Sequence, residues 1–404
     1  MKKSPIICGL DVGTSKVCMV IVRRHSDGGL ELISSGHAES RGLNKGIVVN
    51  LDEAAASIRK AADEAEKKAN MSVDGVRVSA GGDHFQSCNS RGAVAVTGAR
   101  QEVTLELASQ VVAAAQSLVI PPDREIKHVL TQEFFLDGQG GIKNPVGLFG
   151  SQLDANVHII TCQSSLIQNL INAVNHADMR VQKVIAQPLA SAAAVLTEDE
   201  KELGAAVIDI GCSSTNIAVF TQNAVRLTKI LPVGGRNFTR DLAVGIQTPL
   251  DDAERIKKDS GTVRAEIPGT EEPLIIPGIG TRDSHAVTQE NIRDILHARA
   301  TELLELIGEQ LRIAADGSML IAGAVITGGG SKLDGLTELA EKILDMPVRR
   351  GLPLGIRGLN GELRHPEFAA AVGLTLFGEE NSPIGPLPGG VQRFVGKFLT
   401  WMEK

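Results

Sequence analysis

Tyrosine is missing from this 404-residue chain and tryptophan occurs once; with 10 phenylalanines the aromatic content is 3%. A surface that stacks successive bases needs more rings than that. A formal net charge of −7 offers no general attraction to a phosphate backbone. Nucleic acid is therefore not an expected partner, and contact with any anionic surface must come from a local basic patch. No run of about 18 apolar residues exists, so no segment reads as a bilayer-crossing helix. The opening Met-Lys-Lys-Ser-Pro-Ile-Ile-Cys-Gly carries two lysines but no long apolar region behind them, which argues against a secretory signal. The five cysteines, Cys8, Cys18, Cys88, Cys162 and Cys212, contain no Cys-x-x-Cys pair and lie mostly in apolar runs. That is the pattern of buried, reduced thiols, and it fits a reducing cytoplasm.

What is present is ordinary for a soluble globular protein: 43% hydrophobic and 22% charged residues, over a length that accommodates two or three domains. Short β-branched runs alternate with helical patterns, which predicts an α/β fold. Ile6–Leu10 and Val17–Arg23 read as strands around a tight turn, and Leu30–His37 as a third. Leu51–Ala69 reads as a helix capped by Asn50, and Val76–Ala80 as a strand stopped by Gly81-Gly82. From about His84 to Thr161 the pattern changes to short strands (Ala93–Thr97, Val129–Phe135, Asn156–Thr161), one helix (Glu102–Leu118) and a turn-laden loop, Gly138–Gly150. This predicts a small inserted α+β module. The α/β pattern resumes with a helix at Ser164–Ala177, a strand at Val181–Ile185, a strand pair within Ala205–Phe220 and a helical stretch from Phe238 to Gly245. Then come a polar loop or hairpin at Val263–His285, a long helix at Gln289–Ala315 and a buried strand at Leu320–Ile326.

One plan occurs twice. Ile7-Cys8-Gly9-Leu10-Asp11-Val12-Gly13-Thr14-Ser15 and Val207-Ile208-Asp209-Ile210-Gly211-Cys212-Ser213-Ser214-Thr215 are each an apolar strand ending in Asp-x-Gly, then small hydroxyl residues, then another apolar strand. Glycine lets the turn approach a ligand closely. Turn N–H groups and hydroxyls donate to phosphate oxygens, and an aspartate holds magnesium, commonly through water. One such turn joins many ordinary hairpins; two facing copies would grip a polyphosphate from both sides. A third segment, Ala324-Val325-Ile326-Thr327-Gly328-Gly329-Gly330-Ser331, is a buried strand running into a glycine cluster against which a flat ring or a ribose can lie.

The C-terminal run differs from the rest. Three prolines and four glycines fall within the thirteen residues from Gly378 to Gly390, which reads as a linker, placed at 379–390. Beyond it, residues 391–404 on a helical wheel put Val391, Phe394, Val395, Phe398, Leu399, Trp401 and Met402 on one face and Arg393, Lys397 and Lys404 on the other. An interfacial amphipathic helix is expected, with Arg393, Phe394, Val395, Lys397, Phe398, Leu399, Trp401 and Met402 meeting anionic lipid. A terminal helix docked on the protein's own surface has the same periodicity.

These segments resemble, in order, five motifs of the actin, Hsp70 and sugar-kinase superfamily. Asp11–Lys16 and Asp209–Thr215 resemble its two phosphate motifs, Gly328–Gly330 its adenosine motif, and Ala186–Ala192 and Phe368–Leu374 its two connecting helices. The resemblance implies an α/β, actin-like (ribonuclease H-like) duplicated ATPase fold closing over ATP and Mg2+. Asp11 and Asp209 would hold the metal, largely through water. Gly13, Thr14, Ser15, Lys16, Gly211, Ser213, Ser214, Thr215, Gly328, Gly329 and Gly330 would surround the nucleotide. Glu254 and Lys257 match a pair that contacts the nucleoside in related ATPases; their spacing puts them on one helix face, where an ordinary solvated charge pair also sits. Lys16 either reaches the phosphates or lies along its strand. Gln187 stands where the superfamily positions the attacking water; glutamine orients rather than deprotonates, so slow hydrolysis at most is expected.

Within the superfamily the chain resembles the FtsA family of bacterial cell-division proteins over essentially its full length, particularly at Ser40–Gly46, the module at His84–Thr161 and Ala253–Lys257. Pilus-assembly proteins of the PilM type share such an insertion. The resemblance implies a subdomain formed by 1–83 with 162–190 and 355–378, an inserted one at 84–161, a third at 191–240 with 316–354, and a fourth at 241–315. It implies a homopolymer on the cytoplasmic side of the inner membrane at the division septum. The region Asp241–Ala315 would recruit FtsZ, and the inserted module would contact neighbouring subunits and later division proteins. Two other readings stand beside it: a pilus-assembly scaffold without a membrane tail, and a small-molecule kinase, for which no sugar pocket or catalytic base is evident.

Overall fold

The computed structural model describes residues 5–97, 101–266, 272–315, 319–359 and 361–378. Two sheets carry the architecture. The first runs Arg180–Ala186, Gly75–Ala80, Ile6–Val12, Lys16–Arg24, Leu30–Glu39 and Ile356–Arg357 in spatial order, and the second Val348–Arg350, Gly323–Thr327, Ala205–Ile210, Thr215–Thr221 and Ala224–Leu231. Both follow one plan. A hairpin and third strand lie antiparallel on one side, and two further strands lie parallel on the other. Central strands covered on both faces read as unbroken apolar runs, and Val17–Val22 and Ala205–Ile208 are indeed buried throughout.

Two helices, Gln187–Val195 and Ala369–Leu376, lie between the sheets and share one core with the inner face of each. Their backbones nearly touch: a Cβ on Gly373 would fall 1.7 Å from the Ala190 carbonyl oxygen, so only glycine fits this crossing. The outer face of the second sheet is covered by helices Gly235–Gly245, Leu250–Ser260, Gln289–Ala315 and Leu336–Leu344 around a second core.

The inserted module is a four-stranded antiparallel sheet, ordered Gln86–Ala95, Gln152–Gln163, Arg124–Leu136 and Gln139–Ile142, with helix Leu105–Ala115 over a small core of its own. Although it interrupts the first half, it docks on the second. Ser87 Oγ donates to the Thr228 carbonyl at 2.7 Å, Asn89 Nδ2 to that of Arg226 at 3.1 Å, and Gln132 Nε2 to that of Val225 at 2.7 Å. The carbonyls of an outer strand are thereby capped by side chains. His158 completes the contact, 2.7 Å from Asn89 Oδ1 through Nδ1 and 3.0 Å from Thr228 Oγ1 through Nε2. Burial pushes its pKa down to about 4, so the ring is neutral at pH 7. The network assigns the proton to Nδ1, with Thr228 donating to Nε2.

Helix Leu51–Ala69 matches its expected bounds, and Asn50 Oδ1 accepts from Glu53 N at 3.2 Å. Other elements differ. The strand expected at Ala93–Thr97 spans Gln86–Ala95, because its alternating exposed polar residues disguise it. The expected Gly138–Gly150 loop contains the strand Gln139–Ile142, reached through Asp137-Gly138, both at positive φ, the two-residue turn that joins twisted strands. Gln222 and Asn223 make the same kind of turn into Ala224–Leu231, a strand that the sequence reading passes over. Val263–His285 resolves into a hairpin of Leu274–Ile276 with His285–Val287. Cys8, Cys18 and Cys162 are buried, but Cys88 is exposed because its strand edges the module's sheet. The expected linker at 379–390 and amphipathic helix at 391–404 lie outside the described residues. Among the described residues no helix is long and apolar enough to cross a membrane.

Candidate functional site

Both Asp-x-Gly hairpins close with one turn. Gly13 N donates to the Lys16 carbonyl at 3.0 Å, and Gly211 N to that of Ser214 at 2.9 Å. The tips meet: Ser213 Oγ donates to Thr14 Oγ1 at 2.8 Å across 199 residues of sequence. Gly46 N donates to the same Thr14 oxygen at 3.1 Å. Behind the second tip, Gly235 N donates to the Gly211 carbonyl at 2.9 Å and Arg236 N to that of Cys212 at 2.7 Å. A Cβ on Gly234 would lie 2.7 Å from Ser214 N.

The two aspartates are buried. Asp11 Oδ1 accepts from Ser79 Oγ at 2.5 Å. Burial raises its pKa, with the Ser79 bond and the Lys16 charge opposing. Asp209 Oδ2 accepts from Ser191 Oγ at 2.6 Å, and Gln187 Nε2 reaches the same oxygen at 3.5 Å. Burial, reinforced by the negative charge of Asp11, pushes Asp209 up to about 6, against the Ser191 and Gln187 bonds and the Lys16 charge. Held by neutral donors, the two buried carboxylates have the charge of Lys16 to share between them and are short of positive charge.

That shortage is the test of whether a metal fits. Among the described residues no group of three or more His, Cys, Asp or Glu side chains gathers, so an all-protein cage for an ion is not built here. The donor set instead suits magnesium, which keeps several waters and uses one or two carboxylates with phosphate oxygens. The glycine cluster adds a cradle. Gly328 has φ +82, and a Cβ there would fall 2.2 Å from Asp209 Oδ1; one on Gly330 would fall 2.4 Å from Ile210 Cγ2. Bare backbone is thus required beside the second carboxylate.

The remaining expected residues fall into place unevenly. Lys16 Nζ donates to the Glu367 carbonyl and stands 3.7 Å from the centre of the Phe368 ring. Burial lowers its pKa, and the charges of Asp11, Glu367 and Asp209 raise it. It lies among these groups rather than along its own strand. Ser15 is exposed and Ser214 half-buried. Thr215 is turned away: its Oγ1 donates to the Val233 carbonyl at 2.8 Å, because strand alternation puts it on the outer face. Glu254 and Lys257 pair with each other at 2.6 Å, and Lys257 also donates to the Gly235 carbonyl at 3.0 Å and to Thr239 Oγ1 at 2.8 Å. Burial would raise the Glu254 pKa, but the Lys257 and Thr239 bonds hold it below the usual value. The pair stands directly behind the second tip.

Sequence reasoning missed Ser79 and Ser191, which hold the carboxylates, and Gly46, Gly234 and Gly235, which support the tips. Ser191 was visible as the single hydroxyl of an otherwise apolar helix after Gln187, and Gly234-Gly235 as a glycine pair ahead of a helix, whereas Ser79, in a strand that also carries Arg77, gave no such signal.

Comparisons extend the geometry. The family model for cell division protein FtsA matches residues 206–373, and that for the SHS2 domain inserted in FtsA matches 82–161. The cell division protein FtsA of Pseudomonas aeruginosa is 38% identical over 385 residues, covering 95% of this chain and 92% of that protein. Among solved structures, a PilM–PilN type IV pilus biogenesis complex superposes with a TM-score of 0.67 at 18% identity, over 94% of this chain and 99% of that one. MreB5 of Spiroplasma citri bound to ADP superposes with a TM-score of 0.57 at 12% identity, over 98% and 99%. The structural likenesses establish an actin-like fold, and the sequence likeness goes further: the chain belongs to the FtsA family of bacterial cell-division proteins, with that family's inserted SHS2 domain at 82–161.

Proposed function

We propose that this cell-division protein binds ATP with magnesium between its two hairpins and assembles with copies of itself on the cytoplasmic face of the inner membrane. At the division septum it anchors FtsZ and receives later division proteins. The observation that carries this reading is the meeting of the two tips through Ser213 and Thr14, beside two buried carboxylates that have the charge of Lys16 to share between them.

In this reading the turns of Gly13 to Lys16 and Gly211 to Ser214 present N–H groups and hydroxyls to the phosphates, and Lys16 adds a point charge. Asp11 and Asp209 hold magnesium, mainly through its waters. Gly328–Gly330 give the nucleoside bare backbone, with Glu254 and Lys257 at its flank. The magnesium of bound ATP·Mg2+ would supply the positive charge that the buried carboxylates require, and the triphosphate would meet the N–H groups and hydroxyls of both turns. Gln187, adjacent to Asp209, orients water without abstracting a proton, so turnover is slow and the nucleotide acts chiefly as a ligand for assembly. The reading keeps the division expected from sequence: 1–83 with 162–190 and 355–378, then 84–161, 191–240 with 316–354, and 241–315.

A cleft of about 520 Å³ opens in the fourth subdomain between Gly245–Gln247, Arg282–Val287 and Asn291–Ile295; a segment of FtsZ is the occupant we assign to it. The amphipathic residues from Arg393 to Met402 attach the polymer to lipid. One such tail binds modestly, and arraying many adds avidity.

Two experiments test the reading. Asp209→Ala should abolish magnesium-dependent ATP binding in equilibrium dialysis; binding at parental affinity would place the phosphates elsewhere. In co-sedimentation with anionic liposomes the full chain should pellet and a chain ending at Gly378 should not; equal pelleting would remove the tail from the account.

A further inference from the structure

Asn216 is wholly buried, yet neither its Nδ2 nor its Oδ1 has a hydrogen-bond partner. Such an amide is costly to leave unmade and signals a missing occupant. Its position says which occupant. In the antiparallel pairing, Asn216 stands directly opposite Asp209, so both side chains leave the same face of the sheet. That face is the inner one. Ala218 and Phe220 of the same strand, and Ala205 and Val207 of its neighbour, join the core shared with helix Gln187–Val195. The helix contributes Gln187 and Ser191 to Asp209 and packs against the Asn216 strand as well. The other polar groups here are satisfied: Asp209 by Ser191, and Thr327, on the strand beyond, by the Gly351 and Pro366 carbonyls at 3.0 and 3.2 Å. Asn216 alone among these is left with an unused donor, two residues past the turn and beside the carboxylate.

We propose that Asn216 reads the terminal phosphate: its amide donates to the oxygen at that position, a phosphate oxygen or the water held against it by Gln187. The assignment rests on the nucleotide reading above and adds to it the residue that distinguishes a triphosphate from a diphosphate. The amide is closed to solvent in this arrangement, so the occupant is admitted as the halves rearrange around the ligand. The first hairpin has no counterpart: opposite Asp11 stands Cys18.

The test is equilibrium binding of Mg·ATP and Mg·ADP to the full chain carrying Asn216→Ala or Asn216→Cys. The second copies the side chain that the first hairpin tolerates at the matching position and guards against a variant that fails to fold. ADP affinity should stay within about twofold of the parent while ATP affinity falls about tenfold. Equal losses on both nucleotides, which leave the ATP-to-ADP ratio unchanged, would overturn the assignment and leave the site itself standing. A parent chain that binds neither nucleotide overturns both.

Discussion

The two hairpins share a turn, a buried aspartate and a tip hydroxyl, but differ in everything that surrounds them. Asp11 is held by Ser79 from the next strand of its own sheet, whereas Asp209 is held by Ser191 and Gln187 from the helix between the sheets. Where the first turn closes on Lys16, the second closes on Ser214. Opposite Asp11 lies a cysteine, and opposite Asp209 an asparagine without partners. A duplicated backbone thus carries unequal chemistry. The first copy brings its own positive charge, and the second sets a buried carboxylate held by neutral donors beside an amide without partners.

The crossing that holds both copies together should be the most sensitive point. Gly373→Ala forces a Cβ into the Ala190 carbonyl and should cost about 3 kcal/mol, measured by denaturant unfolding; a neutral effect would mean the helices slide freely. Asp209→Asn comes next and separates stability from function. Magnesium-dependent ATP affinity should fall at least about 100-fold, near 2.7 kcal/mol, while the nucleotide-free protein becomes more stable at pH 7.

The sign follows from titration. Asp209 ordinarily loses its proton near 3.8 and does so at about 6 in the fold, so between those values the folded state binds more protons than the unfolded. Its contribution to stability is greatest below pH 4, is lost as pH rises through that window, and is level above it. The change amounts to about 3 kcal/mol at most. Because the buried His128 and His158, with pKa values pushed down to about 3 and about 4, give the parent an opposite slope over the same range, the measure is the difference: urea stability of the parent minus that of Asp209→Asn should fall as pH rises from 4 to 7, and a pH-independent difference would refute the assignment.

Smaller effects sharpen the contrast between copies. Ser191→Ala should raise the pH midpoint of magnesium-dependent binding by about one unit, because a bond to a charged group is removed. Ser79→Ala should raise it less, since Lys16 stands beside Asp11; equal shifts would erase the asymmetry. Smallest, Thr14→Val removes the hydroxyl shared between the tips and should cost about 1 kcal/mol of stability.

Features carried by consecutive residues were legible in the sequence. Asp-x-Gly turns, the helix capped by Asn50 and the glycine cluster depend on neighbours two to four positions away. Ser79, Ser191 and Gly46 were not legible as site residues, because each reaches its partner from another element. Thr215 and Asn216 show the limit in miniature. Both are small polar residues after the second turn, and strand alternation sends the first outward and the second toward Asp209. The motif read from sequence ended at Thr215 and left Asn216 out. The module was visible as a change of pattern, but its docking on Ala224–Leu231 was not, since that strand follows a turn hidden in Gln222-Asn223.

The most direct measurement is a crystal structure of the chain grown with magnesium and a non-hydrolysable ATP analogue. This account predicts phosphates lodged between Thr14 and Ser213, a hydrated cation facing Asp11 and Asp209, and the base against Gly328–Gly330. Density for the analogue anywhere else, or carboxylates turned from one another with no ion between, would contradict it.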